Sequence, residues 1–328
     1  MLLRVILFVL VLAEAFVISD TRAGEIRVGI IGCDTSHVPA FTEFYHGPKN
    51  TGEAAGIRVV AAFPGGSADI PSSINRVPQF VEKLKAQNVE IVDSVETLVS
   101  KVDAVLLESS DGRVHLEQLK PVLKAKKPVF IDKPLGASLK DCVEMFRLAK
   151  EAGVPCFSSS SLRFCTGIAA VRKDGAFGDV LGCEAWSPYS TEPHHPDLFW
   201  YGIHGTESLF TIMGTGCVTV QRVKSEQKDV VVIGTWSDGR VGIFRGLSAS
   251  KGGYGATVYG TKQTGSAGGF TGYEGLAIEI GKFFKSGKPP VSPEETIEIY
   301  AFMEAADESK RQNGAAISLQ SVLDAAKK

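Results

Sequence analysis

Between Glu25 and Ser158, short runs of β-branched and other apolar residues alternate with longer segments of helical period, and no other feature constrains the fold as much. The runs cover residues 26–32 (IRVGIIG), 57–63 (IRVVAAF), 89–93 (VEIVD), 102–107 (VDAVLL), 128–131 (PVFI) and 154–158 (VPCFS). They are continuously apolar rather than alternating, so both faces of each strand must be covered, which calls for a parallel sheet with helices on either side. Two of the intervening segments, 113–125 and 138–152, are predicted helices. In the first, Val114, Leu116, Leu119, Val122 and Leu123 recur at helical spacing. Residues 24–158 are therefore predicted to form a doubly wound parallel sheet.

After Arg163 the pattern changes. A helix at 166–174 precedes runs with a period near two at 179–186, 217–223, 229–236, 240–247 and 254–260, which predict a mostly antiparallel, open sheet. Helices are predicted at 203–213, 272–286, 294–311 and 318–327, and the Gly-rich stretch 252–275 as a loop or edge region. The fold class is α/β, with a second α/β domain over 159–328. A chain of 328 residues, 44% of them hydrophobic, is long enough to bury two cores. A net charge of −2 and the lack of any Lys/Arg cluster exclude the basic footprint of a nucleic-acid binder, leaving small molecules as the expected partners. The six cysteines are irregularly spaced and mostly lie in apolar patterns, so they read as buried thiols rather than bridges.

Several motifs in a fixed order carry a resemblance to a known family. GIIG ends the first strand. His115 lies in GRVHLEQLKPVLKAKKPVFIDKPL, a histidine-bearing helix that runs into a strand and a Lys-Pro pair. SSLRF, the glycine pair Gly175/Gly178 in GAFGDV, and GIHGTE follow. As a set, over residues 25–328, this resembles the glucose–fructose oxidoreductase, inositol dehydrogenase and MocA (Gfo/Idh/MocA) family. The resemblance implies a Rossmann-type domain that binds NAD or NADP, then a domain whose open sheet mediates homo-oligomerisation. It places the active site between the two, where a nicotinamide meets a sugar, cyclitol or related polyol.

It also implies roles for individual residues. Lys133, at the carboxyl end of a buried strand, would contact the nicotinamide ribose and the reacting oxygen, and a lysine of lowered pKa assists loss of a hydroxyl proton. His204 aligns with the family's acid/base histidine, a role suited to an imidazole. The family's acidic residue four positions earlier is replaced by Trp200, and Asp197 is the expected substitute on the substrate side. Gly29, Gly32, Asp34, Thr35, Ser67, Ser109, His115 and Arg163, together with Lys133, complete the expected cofactor side.

The phosphate loop departs most from the family. Where G-x-G-x-x-G is usual, the run is Gly32-Cys33-Asp34-Thr35-Ser36-His37, and only the first glycine survives. Asp34 either faces a pyrophosphate and repels it, or caps the following helix along with Thr35 and Ser36. The second strand ends Phe63-Pro64-Gly65-Gly66-Ser67, without the acidic residue that binds a ribose. That fits NADP, with Ser67 or Arg76 near its extra phosphate, or no adenosine at all. Gly112 stands where an asparagine is common. The alternative to an NAD(P)-dependent oxidoreductase is thus a member that has lost the dinucleotide and handles a carbohydrate-like ligand without redox chemistry. His194, His195, Asp197, His204 and Glu207 lie close in sequence, but no strong metal spacing appears and no metal is assigned.

Residues 1–23 read as a secretory signal, with Arg4, an apolar run from Val5 to Ala13 and the small-x-small site Thr21-Arg22-Ala23. The expected location is periplasmic or secreted. N-terminal sequencing of protein from the native host should find Gly24 first, and recovery of intact Met1 would overturn the exported reading.

Overall fold

The computed structural model describes residues 24–328 except Ser225 and Gln227, so the predicted signal sequence lies outside the described residues. The chain opens with β1 (Ile26–Ile31), α1 (His37–His46), β2 (Ile57–Phe63), α2 (Pro71–Ile74), α3 (Val77–Lys85) and β3 (Glu90–Ile91). It continues with α4 (Val95–Lys101), β4 (Ala104–Leu107), α5 (Gly112–Lys124), β5 (Val129–Ile131), α6 (Leu139–Ala152) and β6 (Cys156–Ser158). The six strands pair in parallel in the order β3-β2-β1-β4-β5-β6. This is the predicted doubly wound sheet, with β4, β5 and β6 buried throughout because helices cover both faces. β3 is shorter than its apolar run: only Glu90 and Ile91 pair with β2.

A 3-10 turn (Ser161–Phe164) and α7 (Thr166–Lys173) lead into the second sheet. There follow β7 (Val180–Pro188), α8 (Asp197–Trp200), α9 (Ile203–Met213), β8 (Cys217–Arg222), β9 (Val230–Trp236), β10 (Val241–Leu247), β11 (Gly255–Gly260) and β12 (Thr264–Ala267). The chain ends with α10 (Glu274–Ser286), α11 (Pro293–Arg311), β13 (Ile317–Ser318) and α12 (Leu319–Ala326). The sheet order is β12-β11-β7-β10-β9-β8-β13, antiparallel except between β7 and β10. β12 lies inside the Gly-rich stretch, at the sheet's edge. α9 and α11 cover one face of this sheet. On β7, β9 and β10, residues such as Val231, Ile233, Ile243 and Trp186 are only half-buried.

Packing crosses the boundary read at residue 158. Leu276, Ala277, Ile280 and Phe283 of α10 join Val28, Ile30, Phe41, Phe130 and Phe157 in one core, so a late helix covers a face of the first sheet. Tyr45 OH donates to the Ala277 carbonyl (2.8 Å), and a side chain at Gly281 would meet Ala54 Cα at 3.0 Å. All six cysteines are buried and free, as expected.

Two glycines of the first strand serve packing. A Cβ at Gly29 would lie 2.6 Å from Leu98 Cδ2, so this residue lets α4 close onto β1. Gly32 has φ +88°, and a Cβ there would sit 2.4 Å from Ser109 Oγ and 2.5 Å from the Ser109 Cα and N. Gly32→Ala should therefore lose more than about 3 kcal/mol in urea unfolding, from backbone strain plus overlap. Gly239→Ala, with φ +86° but open space around it, should lose only about 1–2 kcal/mol. Equal losses in the two variants would show that the close approach of Gly32 to Ser109 does not govern stability.

Candidate active site at the strand ends of the first sheet

The carboxyl ends of β1, β2, β4 and β5 are joined by side chains rather than left open. Asp34 is fully buried, and its carboxylate accepts three bonds: Ser110 N (3.0 Å), Ser110 Oγ (2.7 Å) and Ser73 Oγ (2.5 Å). It neither caps α1 nor faces a groove, which corrects both sequence alternatives. The donors of the loop after β4 and of α2 reach it first. Ser36 occupies the cap position of α1 without a side-chain capping bond, and Thr35 Oγ1 offers only a long contact to His37 N (3.5 Å).

The loops after β2 and β4 are tied in the same way. Ser67 Oγ donates to Asp111 Oδ2 (2.6 Å), so this hydroxyl is not free for a phosphate. Asp111 caps α5 through Arg113 N (2.9 Å), and Arg113 grips Asp69 with both terminal nitrogens at 2.9 and 2.8 Å. Burial opposes ionisation of Asp111, but bonds from His195, Arg113 and Ser67 outweigh it and hold its carboxyl far below the usual range. Gly112 is explained directly: a Cβ there would lie 2.6 Å from the Gly136 carbonyl carbon, so an asparagine would overlap backbone.

Other expected cofactor residues have internal partners. Ser109 Oγ donates to Gln118 (2.8 Å). His115 is fully buried, its ring nitrogens 3.0 Å from the Leu135 carbonyl and 2.7 Å from that of Ser109, so it fixes the loops after β4 and β5 to each other. Arg163 is ion-paired with Glu207 and, at 2.7 Å, with Glu295, which ties the 3-10 turn to α9 and α11. On the substrate side, Asp197 pairs with Arg222 (2.9 Å) and Lys310 (2.5 Å), and the Trp200 ring lies 4.9 Å from that of His195. Asp197 therefore does not take over the missing acidic position: two cations already neutralise it.

Lys133 and His204 are different. Lys133 follows β5 beside Pro134, and among the described residues its ammonium makes no ion pair or hydrogen bond. His204 is buried in the first turn of α9, with Nδ1 2.7 Å from Ser160 Oγ. Burial pushes its pKa well below the ordinary value, and the charges of Lys133 and His37 push the same way. Lys133 therefore lies close enough to His204 to disfavour a charge on its ring.

The sequence reading missed three residues of this region. His37, Glu108 and Asp132 are all buried, and one ligand atom from each lies within 4.8 Å of the others. Burial, then the Asp132 charge, raises the Glu108 carboxyl well above its ordinary value. At Asp132 the His37 ring outweighs burial and keeps the carboxyl low. The signal for His37 was its place in the phosphate turn, where the third glycine is usual. The residues considered as ligands in sequence are scattered: His194 bonds Glu192 (2.6 Å), His195 Nε2 lies 3.1 Å from Gly112 N and 3.3 Å from Asp111 Oδ1, and Asp197 and Glu207 are ion-paired.

Residues 26–160 match the model of the GFO_IDH_MocA family, an oxidoreductase family with an NAD-binding Rossmann fold. A 2,7-anhydro-N-acetylneuraminate hydratase of Escherichia coli is 35% identical over 97 residues, 28% of this chain and 26% of the relative. A 1,5-anhydro-D-fructose reductase of Ensifer adhaerens is 34% identical over 108 residues, 31% of this chain and 32% of the relative. The matched segment thus spans only about a quarter to a third of the length of these curated relatives. A scyllo-inositol dehydrogenase structure from Lactobacillus casei with bound NAD(H) and scyllo-inositol superposes with TM-score 0.71, covering 90% of this chain and 99% of that one at 14% identity. At that identity the likeness is one of fold.

The cluster around Asp197 yields a pH dependence. Burial, then the Asp197 charge, pushes Asp307 up to about 7 against the pull of Arg222. The native state then holds a proton that the unfolded chain releases near its ordinary pKa of 3.8, so stability falls as pH rises from about 4 to about 7. Asp307→Asn removes this titration. Urea unfolding should show the variant gaining on the parent across that window, by about 1–4 kcal/mol, and level above it. A difference that does not vary with pH would reject the raised Asp307.

Proposed function

We propose that this chain, whose residues 26–160 match the model of an oxidoreductase family with an NAD-binding Rossmann fold, is an enzyme acting on a sugar, cyclitol or related polyol, with Lys133 and His204 handling the proton. The observation that carries the proposal is the pairing of an unpartnered lysine with a buried histidine whose pKa its surroundings depress. A neutral imidazole accepts the proton of a substrate hydroxyl, and the adjacent ammonium stabilises the oxyanion left behind. The Ser160 hydroxyl both donates and accepts, so it holds the ring in place in either protonation state. The relatives named a reductase and a hydratase support a carbohydrate-like substrate class and leave both redox and non-redox chemistry open.

The family's dinucleotide does not fit the strand ends as they stand. Its pyrophosphate lies along the turn after β1, and here the residue at the second glycine position is fully buried under the loops after β2 and β4. The covered turn favours the reading without redox chemistry over the NAD(P)-dependent one. The export that residues 1–23 predict is consistent with the same reading, because a chain exported unfolded leaves the cytoplasmic dinucleotide pool behind. The half-buried face of the second sheet is the surface we assign to homo-oligomer contacts.

Calorimetric titration of the parent with NADH and NADPH should give no saturable heat, and tight binding of either would restore the hydride-transferring reading. Hexoses, cyclitols and 1,5-anhydro sugars incubated with the protein and followed by proton NMR identify the substrate class. Lys133→Ala and His204→Ala should each slow the conversion by about 10² to 10⁴. Rates within a few-fold of the parent in both variants would reject the assigned roles.

A further inference from the structure

Among the described residues, both carboxylate oxygens of the fully buried Glu108 lack a hydrogen-bond partner, and they lie beside the buried pair of His37 and Asp132. Buried polar atoms in native proteins are almost always satisfied, so an unpartnered carboxylate here calls for a missing partner. His37 does not supply it to Glu108, because its Nδ1 pairs with Asp132 Oδ2 at 2.8 Å. Nor does Lys133 supply it, since its ammonium pairs with neither carboxylate.

We propose that His37, Glu108 and Asp132 form a binding site for one divalent first-row transition-metal cation, Zn²⁺ or Mn²⁺. The charge fits: two carboxylates and a neutral imidazole balance a dication, whereas two buried carboxylates alone are costly to keep ionised. The donor set fits as well. An imidazole nitrogen with two carboxylate oxygens suits Zn²⁺ or Mn²⁺ better than Mg²⁺ or Ca²⁺, which favour oxygen shells. Ligand atoms on a common ion at about 2.0–2.2 Å lie no more than about 4.4 Å apart. The 4.8 Å bound therefore requires a contraction of only a few tenths of an ångström. The supports are rigid: Glu108 directly follows β4, Asp132 directly follows β5, and His37 opens α1 with its ring 4.6 Å from Tyr273 and 5.3 Å from Phe41. Three protein ligands leave at least one coordination position for water or a substrate oxygen, in the region where Lys133 and His204 act.

The inference goes beyond the reading of the reaction and does not rest on it, so its test uses no turnover. The folded full chain is stripped with a chelator, then titrated with Zn²⁺ and with Mn²⁺ by calorimetry, and its metal content is measured by mass spectrometry. One cation per chain is expected, with a rise in the thermal midpoint. Affinity should fall at least tenfold in Glu108→Gln and Asp132→Asn, and hold in His194→Ala. Co²⁺ added to the stripped parent should give visible d–d absorption, weakened or lost in His37→Gln. The Co²⁺ spectrum of the parent decides the matter even where a variant fails to fold. No bound cation with any of the three metals would overturn the site, as would binding that all three ligand substitutions leave unchanged.

Discussion

The strand ends of the first sheet depend on the buried carboxylate of Asp34. It receives a backbone N–H and a hydroxyl from Ser110 and a second hydroxyl from Ser73, so one side chain from the turn after β1 fixes the loop after β4 and the helix after β2. A buried carboxylate is stable only when its lone pairs are met, and charge-assisted bonds of this kind are about twice as strong as neutral ones. Once Asp34 is fixed, the loops have little freedom. Ser109 packs against Gly32, Ser67 reaches Asp111, and Asp111 caps α5. His115 then carries the constraint to β5 by bridging the Ser109 and Leu135 carbonyls, which sets the position from which Lys133 extends.

The same carboxylate bears on what the site can bind. Beside the turn after β1, the backbone donor Ser110 N of the loop after β4 is already held by an internal anion. An anion tethered to the chain has lost its translational freedom in advance, so a phosphate from solution competes with it at a disadvantage. The glycine-to-aspartate departure therefore does more than add bulk, because it ties the turn after β1 to the loop after β4 and to α2.

Sequence carried the sheet and most helices because their signals are local. An apolar run such as AVLL must be buried on both faces, and a helix such as α6 declares itself through its Ser138 cap, its apolar stripe and Gly153 at its end. It did not carry α10's place on the first sheet, because an amphipathic helix does not say which surface its apolar face meets. Lys133 and His204 drew notice in the sequence because motif position and chemistry pointed the same way, and neither is tied up in an ion pair among the described residues. Arg163 and Asp197 looked equally functional in sequence, yet both are neutralised by partners far along the chain, Glu295 and Lys310 among them. Glu108 was invisible for the opposite reason. A glutamate after a strand reads as a solvated loop residue, and only the packing of His37 and Asp132 around it makes it a buried charge.

Charge balance then decides which ligand the region favours. Asp34, Glu108, Asp111 and Asp132 are all buried at or just beyond the carboxyl ends of the strands. Asp111 is balanced by Arg113, and Asp34 is met by three donors. Glu108 and Asp132 share only the His37 ring and the more distant Lys133, which is why burial drives one carboxyl up while His37 holds the other down. A pyrophosphate brought here would add negative charge beside these buried carboxylates. A dication at the proposed site would let both carboxylates ionise. Aspartate at 34 and histidine at 37, which close the phosphate turn, thus fit the proposed cation better than they fit a pyrophosphate.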